Sequence, residues 1–506
     1  MSTFNGVNQV GGSGLPLSQI LQFHAERDPD RPCLTMLGRD MSRAELDLRS
    51  NRLARVYAAS GVQPGDFVTI ALPAGFAFFE ACFAAWKCGA VPYPISAKMP
   101  VVEMQAAVEL ARPRLVIGGP AQLQVDNRLP EGFEADPALS DAPLPSVISP
   151  YWKAIGSGGS TGRPKLIVSH TPALFNPTGP LPGQRVDGTI LNPGPLYHTG
   201  PFMNSMLALF TGNRVVLMPR FEEEEALRLI DQYKVDAVAF VPTMMNRIWR
   251  LGPEIRGKYD IGSLRTMLHY ASICPVWLKQ AWIDWLGADK IFELYGATEH
   301  QGTTIITGAE WLRHKGSVGR AQPGSKIVIL DPAGNPLPAG EIGEIYFVPD
   351  DPSRTTYHYI GAESKKAAGG ETPGDMGYLD EEGYLFVADR RTDMIVSGGA
   401  NIYPAEVEAV LDSHPHVRSS VVIGLPHDDL IAAAHAIVEI APGTDARALE
   451  EHLRVFLKSQ LVPYKIPRSF EFVHHPLRDD VGKVRRSQLR ENRIESRSYS
   501  AGRSFN

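Results

Sequence analysis

The sequence predicts an α/β protein with a large N-terminal domain of doubly wound sheets, which includes a β-rich subdomain, and a small α+β C-terminal domain. Three observations predict this fold class. Strand-like runs alternate with helical patterns up to residue 294, short strand patterns dominate residues 326–388, and a compact set of strands and helices follows the charged stretch 389–393. Alternating strands and helices are typical of parallel sheets that helices cover on both faces.

The first third of the chain supplies the first part of that alternation. Residues 17–57 have a helical pattern that a short strand and turn at 32–38 interrupt. Apolar and β-branched runs then predict strands at 67–72, 90–94 and 114–118, with helices at 75–89 and 104–111 between them. The stretch 121–150 is rich in Pro, Asp and Ala, and we expect it to run over the surface.

The middle of the chain continues with strands whose carboxyl ends carry polar residues. Strands are predicted at 188–191, 214–218, 236–242, 264–270 and 290–294, with helices between them. The acidic run 222–225 is predicted to open one of these helices, where carboxylates suit the positive end of the helix dipole. Ligands of doubly wound sheets bind beyond the carboxyl ends of the strands, so these exits should face one crevice.

Composition limits the classes of function. The chain has 506 residues, 43% of them hydrophobic, which is enough for more than one domain with a sizeable core. A net charge of -6 and a pI near 6.2 give no reason to expect nucleic acid or an anionic membrane as a partner.

The cysteines and the N-terminus favour a cytoplasmic protein. The four cysteines show neither metal-binding spacing nor a secreted disulfide pattern. Residues 1–15 are polar and Gly-rich and do not form a signal peptide. The most apolar window, 75–91, contains Glu80 and Lys87 and is predicted to be a buried helix rather than a membrane span.

A Gly-rich and hydroxyl-rich stretch at residues 156–165, GSGGSTGRPK, predicts a phosphate-binding loop. Its glycines let backbone N–H groups turn toward an anion, its hydroxyls add donors, and its lysine adds a positive charge. A flexible surface linker is the alternative interpretation. The spacing matches neither a Walker loop nor a dinucleotide fingerprint. The residues that we expect to contact phosphate are Ser157, Gly158, Gly159, Ser160, Thr161, Gly162 and Lys165.

A second polar segment, YGATE at residues 295–299, supplies the metal ligand and the base-stacking ring that such a loop lacks. Tyr295 offers a flat face on which a base can stack, and Glu299, with help from Thr298, offers the hard oxygen ligands that Mg²⁺ prefers. Taken alone, the segment could equally be a strand end with an N-capping threonine. Downstream of a phosphate loop, it predicts a site for a magnesium-bound nucleotide.

These segments, together with GDMGY at 374–378 and Gly482-Lys483, resemble the conserved motifs of the adenylate-forming superfamily, which includes acyl-CoA synthetases, peptide-synthetase adenylation domains and firefly-type luciferases. The resemblance covers nearly the whole chain, with the motifs in family order. It implies ATP and Mg²⁺ as cofactors, coenzyme A as co-substrate and a carboxylic acid as substrate.

The resemblance also implies a role for each matched residue. Lys483, His198, Thr161 and Glu299 would be catalytic, with Lys483 bridging the carboxylate and the α-phosphate and His198 acting as a gate beside the carboxylate. Glu299 and Thr298 would hold the metal. The remaining ATP-binding residues would be Ser272, Ile273, Tyr295, Gly296, Ala297, Asp375 as the ribose clamp, and Arg390.

The same resemblance implies two domains that move relative to each other. Residues 1–390 would form the large adenylation domain, with the β-rich subdomain at 318–390, and residues 391–506 a small mobile domain with its hinge near Thr392. The loop with Gly398, Gly399 and Asn401 would serve coenzyme A. The chain departs from the family pattern at Thr392, where Asp or Lys is usual, and just before Lys483, where acidic residues replace small ones.

The expected acyl pocket is apolar and aromatic, which favours a bulky apolar acid over an amino acid. Within the superfamily the chain most resembles bacterial acyl-CoA ligases for bulky polycyclic acids, which implies a steroid-like or terpenoid-like acid. Its predicted residues are Tyr197, His198, Phe202, Phe240, Thr243, Ala297, Gln301 and Gly302. The predicted function is an AMP-forming acyl-CoA ligase. The alternatives are an enzyme that stops at the acyl adenylate or delivers the acyl group to a carrier protein or partner enzyme, and a non-catalytic nucleotide-binding regulator. The oligomeric state stays open, a homodimer included.

Overall fold

The computed structural model describes residues 10–11, 14–158, 164–179, 184–353, 355–427, 429–479 and 482–502. The helices within these ranges are α1 Leu17–Arg27, α2 Arg43–Ala59, α3 Phe76–Lys87, α4 Val101–Ala111, α5 Thr199–Phe210, α6 Glu223–Tyr233, α7 Pro242–Arg250, α8 Gly252–Arg256, α9 Val276–Leu286, α10 Gly308–Trp311, α11 Pro404–Ser413, α12 Ala446–Gln460 and α13 Arg486–Gly502, with a 3-10 turn at Pro463–Lys465.

The strands alternate with these helices in the first half of the chain and dominate from residue 303 to 402. They are β1 Leu15–Pro16, β2 Pro32–Met36, β3 Arg39–Ser42, β4 Phe67–Ala71, β5 Val91–Pro94, β6 Leu115–Gly118, β7 Arg128–Leu129, β8 Ala154–Gly158, β9 Pro164–Ser169, β10 Leu174–Phe175, β11 Thr189–Asn192, β12 Arg214–Leu217, β13 Ala237–Phe240, β14 Thr266–His269, β15 Ile291–Gly296, β16 Thr303–Thr307, β17 Arg320–Ala321, β18 Ser325–Leu330, β19 Gly343–Pro349, β20 Tyr357–Ile360, β21 Lys366–Ala367, β22 Gly370–Glu371, β23 Asp375–Leu379, β24 Leu385–Arg390, β25 Ile395–Ser397, β26 Ala400–Ile402, β27 Val417–His427, β28 Ile431–Ile440 and β29 Ser469–Val473.

The largest sheet has nine strands in the order β17-β16-β15-β14-β13-β11-β12-β2-β3. Its six central strands, from β15 to β2, run parallel, and antiparallel strands close both edges. The strand order reverses between β11 and β13, since β11 leads to β12 on one side while β13 leads to β14 and β15 on the other. This reversal is the switch point where open α/β sheets bind ligands, and it confirms the predicted doubly wound fold.

Three smaller sheets complete the part of the large domain that positions the site. A parallel sheet, β5-β4-β6-β7, follows the strands predicted from the first third of the chain. An antiparallel sheet, β20-β9-β8, carries both arms of the Gly-rich stretch. A six-stranded sheet formed by β18, β19 and β21 to β24 is the predicted β-rich subdomain.

The apolar window at 75–91 forms α3 and strand β5, both inside the protein. The helix is apolar all round, and its rings Phe78, Phe79, Phe83 and Trp86 are at most 1% exposed, as expected of a helix that other elements surround. Arg49 from α2 reaches its only carboxylate, Glu80, with Nε 2.8 Å from Oε1. No helix in the described ranges is long and apolar enough to cross a membrane.

The C-terminal region folds around its own sheet, β26-β25-β28-β27, with β29 parallel to β28. Leu449, Leu453 and Leu457 recur every four residues along α12 and are at most 3% exposed, so one face of this helix fills a separate core. The predicted Gly-rich turn is the tip of the β25-β26 hairpin. Gly398 and Gly399 have φ of +57° and +84° there, which a two-residue turn of this type requires.

The end of the chain is more ordered than its polar sequence predicts. The polar and charged residues past 489 suggest a frayed end, but residues 490–502 belong to α13, and Leu489 and Ile494 pack on an apolar cluster against β27 and β28. Arg493 donates two hydrogen bonds of 2.6 Å to Glu471. The helix therefore presents a packed face as well as the predicted solvated one.

Candidate active site

The candidate site lies where several strand exits meet beside the switch point of the large sheet. The exit of β11 leads to Tyr197 and His198 at the start of α5, and the exit of β13 leads to Thr243 in the first turn of α7. These two exits flank the reversal of strand order. The segment after β15, residues 297–302, passes between them and the sheet that carries the Gly-rich stretch.

Glu299 is tied to that sheet by two side chains. Lys165 Nζ lies 3.1 Å from Glu299 Oε1, and the Tyr359 hydroxyl donates a 2.6 Å hydrogen bond to the same oxygen. Lys165 Nζ also lies 3.0 Å from the Tyr359 oxygen. Lys165 and Tyr359 stand on neighbouring strands, β9 and β20, so the sheet holds the carboxylate from two sides.

This pairing keeps Glu299 ionised although the residue is only 8% exposed. Burial alone would raise the pKa of the carboxyl, but the Lys165 ammonium and the Tyr359 hydroxyl outweigh burial and lower the pKa. The described residues contain no cluster of three or more His, Cys, Asp or Glu side chains that could hold a metal ion. A single ionised carboxylate fits Mg²⁺ in a nucleotide site, where phosphate oxygens and water supply the remaining ligands.

Asp375 and Tyr295 form the second polar pair. The Tyr295 hydroxyl donates a 2.7 Å hydrogen bond to Asp375 Oδ2, and Arg390 Nε lies 3.6 Å from Oδ1. Burial raises the pKa of Asp375, while Arg390 and the Tyr295 hydroxyl oppose this shift. The Tyr295 ring stacks on Phe347 with centroids 6.2 Å apart, so its hydroxyl end and one face are fixed by neighbouring strands.

Lys483 enters the same cleft from the C-terminal region. It is an exposed residue, yet the walls of the cleft desolvate its ammonium, which together with Arg390 lowers its pKa, while Asp479 and Glu299 act in the opposite direction. A tight turn presents it: Asp479 Oδ1 accepts a 2.8 Å bond from the Lys483 amide. The acidic residue that departs from the family pattern therefore shapes the turn.

His198 faces this ammonium across the cleft. Burial lowers the pKa of His198 to about 3, and the positive charge of Lys483 contributes to the shift. The imidazole is therefore neutral at physiological pH and can accept or donate a hydrogen bond without adding charge.

Contacts between the two regions hold Lys483 in this position. A Cβ on Gly482 would lie 2.9 Å from Thr243 Oγ1, so the turn approaches α7 too closely for any larger residue. Arg250 Nη2 donates a 2.9 Å hydrogen bond to the Asp412 carbonyl, and Arg485 Nη1 lies 3.4 Å from Glu103 Oε1. The Gly398-Gly399 turn is exposed in this arrangement, as are Asn401 and Thr392.

The predicted acyl-pocket residues fall into two groups. Thr243, Tyr197 and His198 and the segment with Ala297 lie at the strand exits. Phe202 and Phe240 are fully buried. Phe202 packs on Trp152 and Phe240 on Trp282, with centroids 5.8 Å apart in each pair, so both belong to hydrophobic cores, and their part in an acyl pocket stays a prediction.

Other predicted residues have roles in the framework of the site. Thr298 Oγ1 lies 2.8 Å from Thr199 Oγ1 at the start of α5. A Cβ on Gly302 would come within 2.1 Å of the Phe347 ring, so this position requires glycine. At the predicted adenine wall, Ser272 is half-buried and Ile273 is 37% exposed.

The tip of the Gly-rich stretch lies outside the described residues. Gly159, Ser160, Thr161 and Gly162 belong to that tip, and their predicted contacts with phosphate stay a prediction. The two arms of the stretch are described: Ser157 and Gly158 end β8 and pair with Lys165 and Pro164 of β9.

Sequence reasoning missed Tyr359 and Thr356, both of which hold Glu299. The Thr356 hydroxyl donates a 2.9 Å hydrogen bond to the Glu299 carbonyl. A signal was present in the aromatic and β-branched run 357–360, which is typical of a strand. Its pairing with β9, more than 180 residues earlier, could not be read from this run alone.

Comparison with known proteins agrees with this geometry. The family model for the AMP-binding enzyme matches residues 21–149 and 155–348, and the model for the AMP-binding enzyme C-terminal domain matches residues 406–480. Fatty acid--[acyl-carrier-protein] ligase ScoC of Streptomyces coeruleorubidus is 29% identical, with 94% of this chain and 96% of the relative covered. Feruloyl-CoA synthase of an Amycolatopsis species is 31% identical, with 92% of this chain and 96% of the relative covered.

A solved structure shows the same fold. o-Succinylbenzoate CoA synthetase (MenE) from Bacillus subtilis, in complex with the acyl-adenylate intermediate OSB-AMP, superposes with a TM-score of 0.78 at 24% identity, over 96% of this chain and 98% of that one. With both domain models matched in order and relatives aligned along nearly their whole length, the chain belongs to the AMP-binding enzyme family of adenylate-forming ligases.

Proposed function

We propose that the chain is an ATP-dependent acid-thiol ligase, which activates a bulky, mainly apolar carboxylic acid as an acyl adenylate and then transfers the acyl group to coenzyme A. Ligases of this family use ATP with Mg²⁺, and those that form CoA thioesters take coenzyme A as co-substrate. The observation that carries the proposal is the meeting of Lys483, from one domain, with Glu299, His198 and Arg390 of the other.

In the first step, a carboxylate oxygen of the acid would attack the α-phosphorus of ATP, and pyrophosphate would leave. Two anions must approach each other, so a cation between them stabilises the charge that develops. The Lys483 ammonium is the group that can bridge them, and the neutral His198 ring borders the approach without repelling a cation. Bound at Glu299, Mg²⁺ would neutralise charge on the phosphates. Asp375 would accept hydrogen bonds from the ribose hydroxyls.

In the second step, a thiolate would attack the acyl carbon and AMP would leave. We propose that the small domain, residues 391–506, rotates about a hinge at Thr392 to bring the Gly398-Gly399 turn to the cleft. The proposal is supported by the exposure of that turn and of Thr392.

An acyl-carrier protein is the second candidate acceptor. It is favoured by the similarity to ScoC, whose name describes ligation of a fatty acid to acyl-carrier protein. The chemistry in the cleft is the same for either thiol, because the acyl adenylate is the common intermediate.

One assay tests the proposed function and separates the acceptors. The protein is incubated with Mg-ATP and a panel of apolar carboxylic acids, with coenzyme A, with a phosphopantetheinylated carrier protein, or with neither thiol. We expect acid-dependent pyrophosphate in all three reactions and acyl-CoA in the first. Acyl-carrier protein without acyl-CoA would assign the second acceptor, and the absence of acid-dependent pyrophosphate would contradict the proposed ligase.

A further inference from the structure

Three lysines of the described chain are almost completely buried: Lys87, Lys153 and Lys279 are 3%, 1% and 1% exposed. Two of them are paired with a buried carboxylate. Lys87 Nζ lies 2.6 Å from an Asp47 oxygen, and Lys279 Nζ lies 2.5 Å from a Glu293 oxygen. The Lys153 ammonium makes no hydrogen bond or ion pair with any residue that the structure describes.

An unpaired buried ammonium is costly, because the protein interior does not replace the water that it loses. Burial lowers the pKa of Lys153 to about 8, with the charge of Glu299 acting in the opposite direction. The side chain is therefore mainly protonated at neutral pH. Because this burial costs free energy, we expect an oxygen atom of a bound ligand to pair with the Lys153 ammonium.

The pleat of the β20-β9-β8 sheet places Lys153 on the face that covers the candidate site. Side chains of a strand alternate between faces, so Lys153 shares a face with Ile155, and the pairing of Ile155 with Ile167 puts both on the same face as Lys165. The Lys153 carbonyl accepts a 3.1 Å bond from the Ser169 amide, which continues the antiparallel pairing to this residue. Since Lys165 on that face contacts Glu299, Lys153 faces the same segment.

Polar groups without partners lie in that segment, directly after Glu299. His300 Nε2 and Gln301 Oε1 are buried and have no hydrogen-bond partner among the described residues. The charge of Lys153 acts on the His300 ring, so the two side chains lie near each other. His300 also has a φ of +54°, a conformation that non-glycine residues rarely adopt outside functional or turn positions.

Lys153 is set apart from the phosphate loop along the strand. It lies four positions before Ser157, at the arm of that loop, which corresponds to about 13 Å of backbone at the usual rise of a strand. Its charge acts on His300, which belongs to the segment 297–302, and three of the predicted acyl-pocket residues, Ala297, Gln301 and Gly302, lie in that segment.

We propose that Lys153 is a specificity-determining residue that binds a second oxygen acceptor on the acid, an oxo or carboxylate group remote from the carboxylate that is activated. His300 borders the same position and can complete the hydrogen bonding. The proposal rests on the proposed function, and refines it: the pocket would take an acid whose apolar body ends in an oxygen function. A hydrogen bond from a charged group in such a buried place is strong enough to decide between otherwise identical acids.

Calorimetric titration with non-reactive acyl sulfamoyl adenosines tests whether Lys153 binds a remote oxygen of the acid, and it does not require turnover. Straight acyl chains of six, eight and ten carbons are compared in three forms: unsubstituted, with a ketone next to the terminal carbon, and with a terminal carboxylate. For at least one length, we expect the wild type to bind an oxygenated form roughly tenfold or more tightly than the unsubstituted one. In Lys153→Met this preference should disappear, while affinity for the unsubstituted form changes less than about threefold.

A merely structural role for Lys153 is distinguished by two further measurements. Lys153→Met should melt at the same temperature as the wild type or higher, because it removes an unpaired buried charge, whereas Lys87→Met, which leaves Asp47 unpaired, should melt lower and keep the ligand preference. Equal affinity for all three forms at every length, or an equal loss for all of them in Lys153→Met, would overturn the proposal. Pyrophosphate release is recorded separately, so a failed ligase and a wrong role for Lys153 give different results.

Discussion

The two sides of the candidate site are built differently. On the large-domain side, Glu299 is held by two partners within 3.1 Å, and Asp375 is held by Tyr295 at 2.7 Å. On the small-domain side, Lys483 is exposed, and Asp479 in its own turn and contacts such as that of Arg250 with the Asp412 carbonyl keep it in place. The comparison teaches that the carboxylates on the nucleotide side are organised before a ligand binds, whereas the position of the lysine depends on how the two regions meet.

The largest effect should come from the small-domain side. Lys483→Ala removes the cation that we propose to bridge the two approaching anions, so adenylation should fall roughly a hundred- to a thousandfold. ATP affinity should change less than about threefold, because the contacts with the nucleotide come from the large domain. Acid-dependent pyrophosphate release and calorimetric titration with ATP measure the two quantities.

The control for this variant is Lys458→Ala, which removes an exposed lysine of α12 in the same domain. It should leave both quantities unchanged. Unaltered pyrophosphate release in Lys483→Ala would remove the lysine from the mechanism and with it the contrast between the two sides.

On the preorganised side, Glu299→Gln keeps the shape of the side chain but removes its charge. Lys165 and Tyr359 would then have no carboxylate partner, and the metal would lose its ionised oxygen. We expect kcat/KM for adenylation to fall roughly ten- to a hundredfold and the Mg²⁺ concentration at half-maximal rate to rise. A fall in rate with an unchanged Mg²⁺ dependence would show that Glu299 acts without the metal.

The same contrast explains which parts could be predicted from the sequence. The chemistry of Glu299 was predicted from its own segment, whereas Asp375 and Lys483 were predicted from the resemblance to adenylate-forming enzymes, and the structure brings all three to one cleft. Phe202 and Phe240 were assigned to the pocket because they are aromatic and close to strand exits in sequence. Whether a ring faces the cleft or the core depends on the helix or sheet packed against it, and sequence position does not contain this information.

The pairing of strands that are distant in sequence was the second feature that could not be predicted. Tyr359 reaches Glu299 because β20 pairs with β9, and Lys153 lies on the same face as Lys165 because β8 pairs with β9 on the other side. Each placement depends on a register between distant or separately predicted strands. A single lysine before a strand gives no sign in the sequence that its ammonium will lie buried without a partner.

A substitution at the proposed hinge should have a smaller effect, and only on the second step, acyl transfer to the thiol. Thr392→Pro should stiffen the connection between the two sides, because proline fixes φ and restricts the residue before it. We expect acyl transfer to the thiol to fall about tenfold while adenylation changes less than threefold, measured by single-turnover formation of thioester and of acyl adenylate. Thr392→Ala is the control and should retain both steps; equal losses in Thr392→Pro would place the hinge elsewhere.

The smallest effect concerns the surface where the two sides meet. Asp412 accepts a hydrogen bond from Ser420 at 2.7 Å, its carbonyl accepts one from Arg250, and burial raises the pKa of its carboxyl to about 7. An unfolded aspartate has a pKa of about 3.9. Between these values the native state binds the extra proton, so stability falls as the pH rises from about 4 to 7. Asp412→Asn cannot ionise, so its advantage should grow over the same range.

Melting curves of the wild type and Asp412→Asn at several pH values measure this difference. We expect melting temperatures within about a degree of each other at pH 5, and the variant to melt roughly 2–4 °C higher at pH 8. Asp429→Asn, which removes an exposed carboxylate of the same domain, should show no pH-dependent difference. If the wild type instead gains stability relative to Asp412→Asn as the pH rises, the carboxylate is ionised in the native state. Its pairing with nearby arginines would then hold the small domain in place, and the contrast between the two sides would be smaller than we infer.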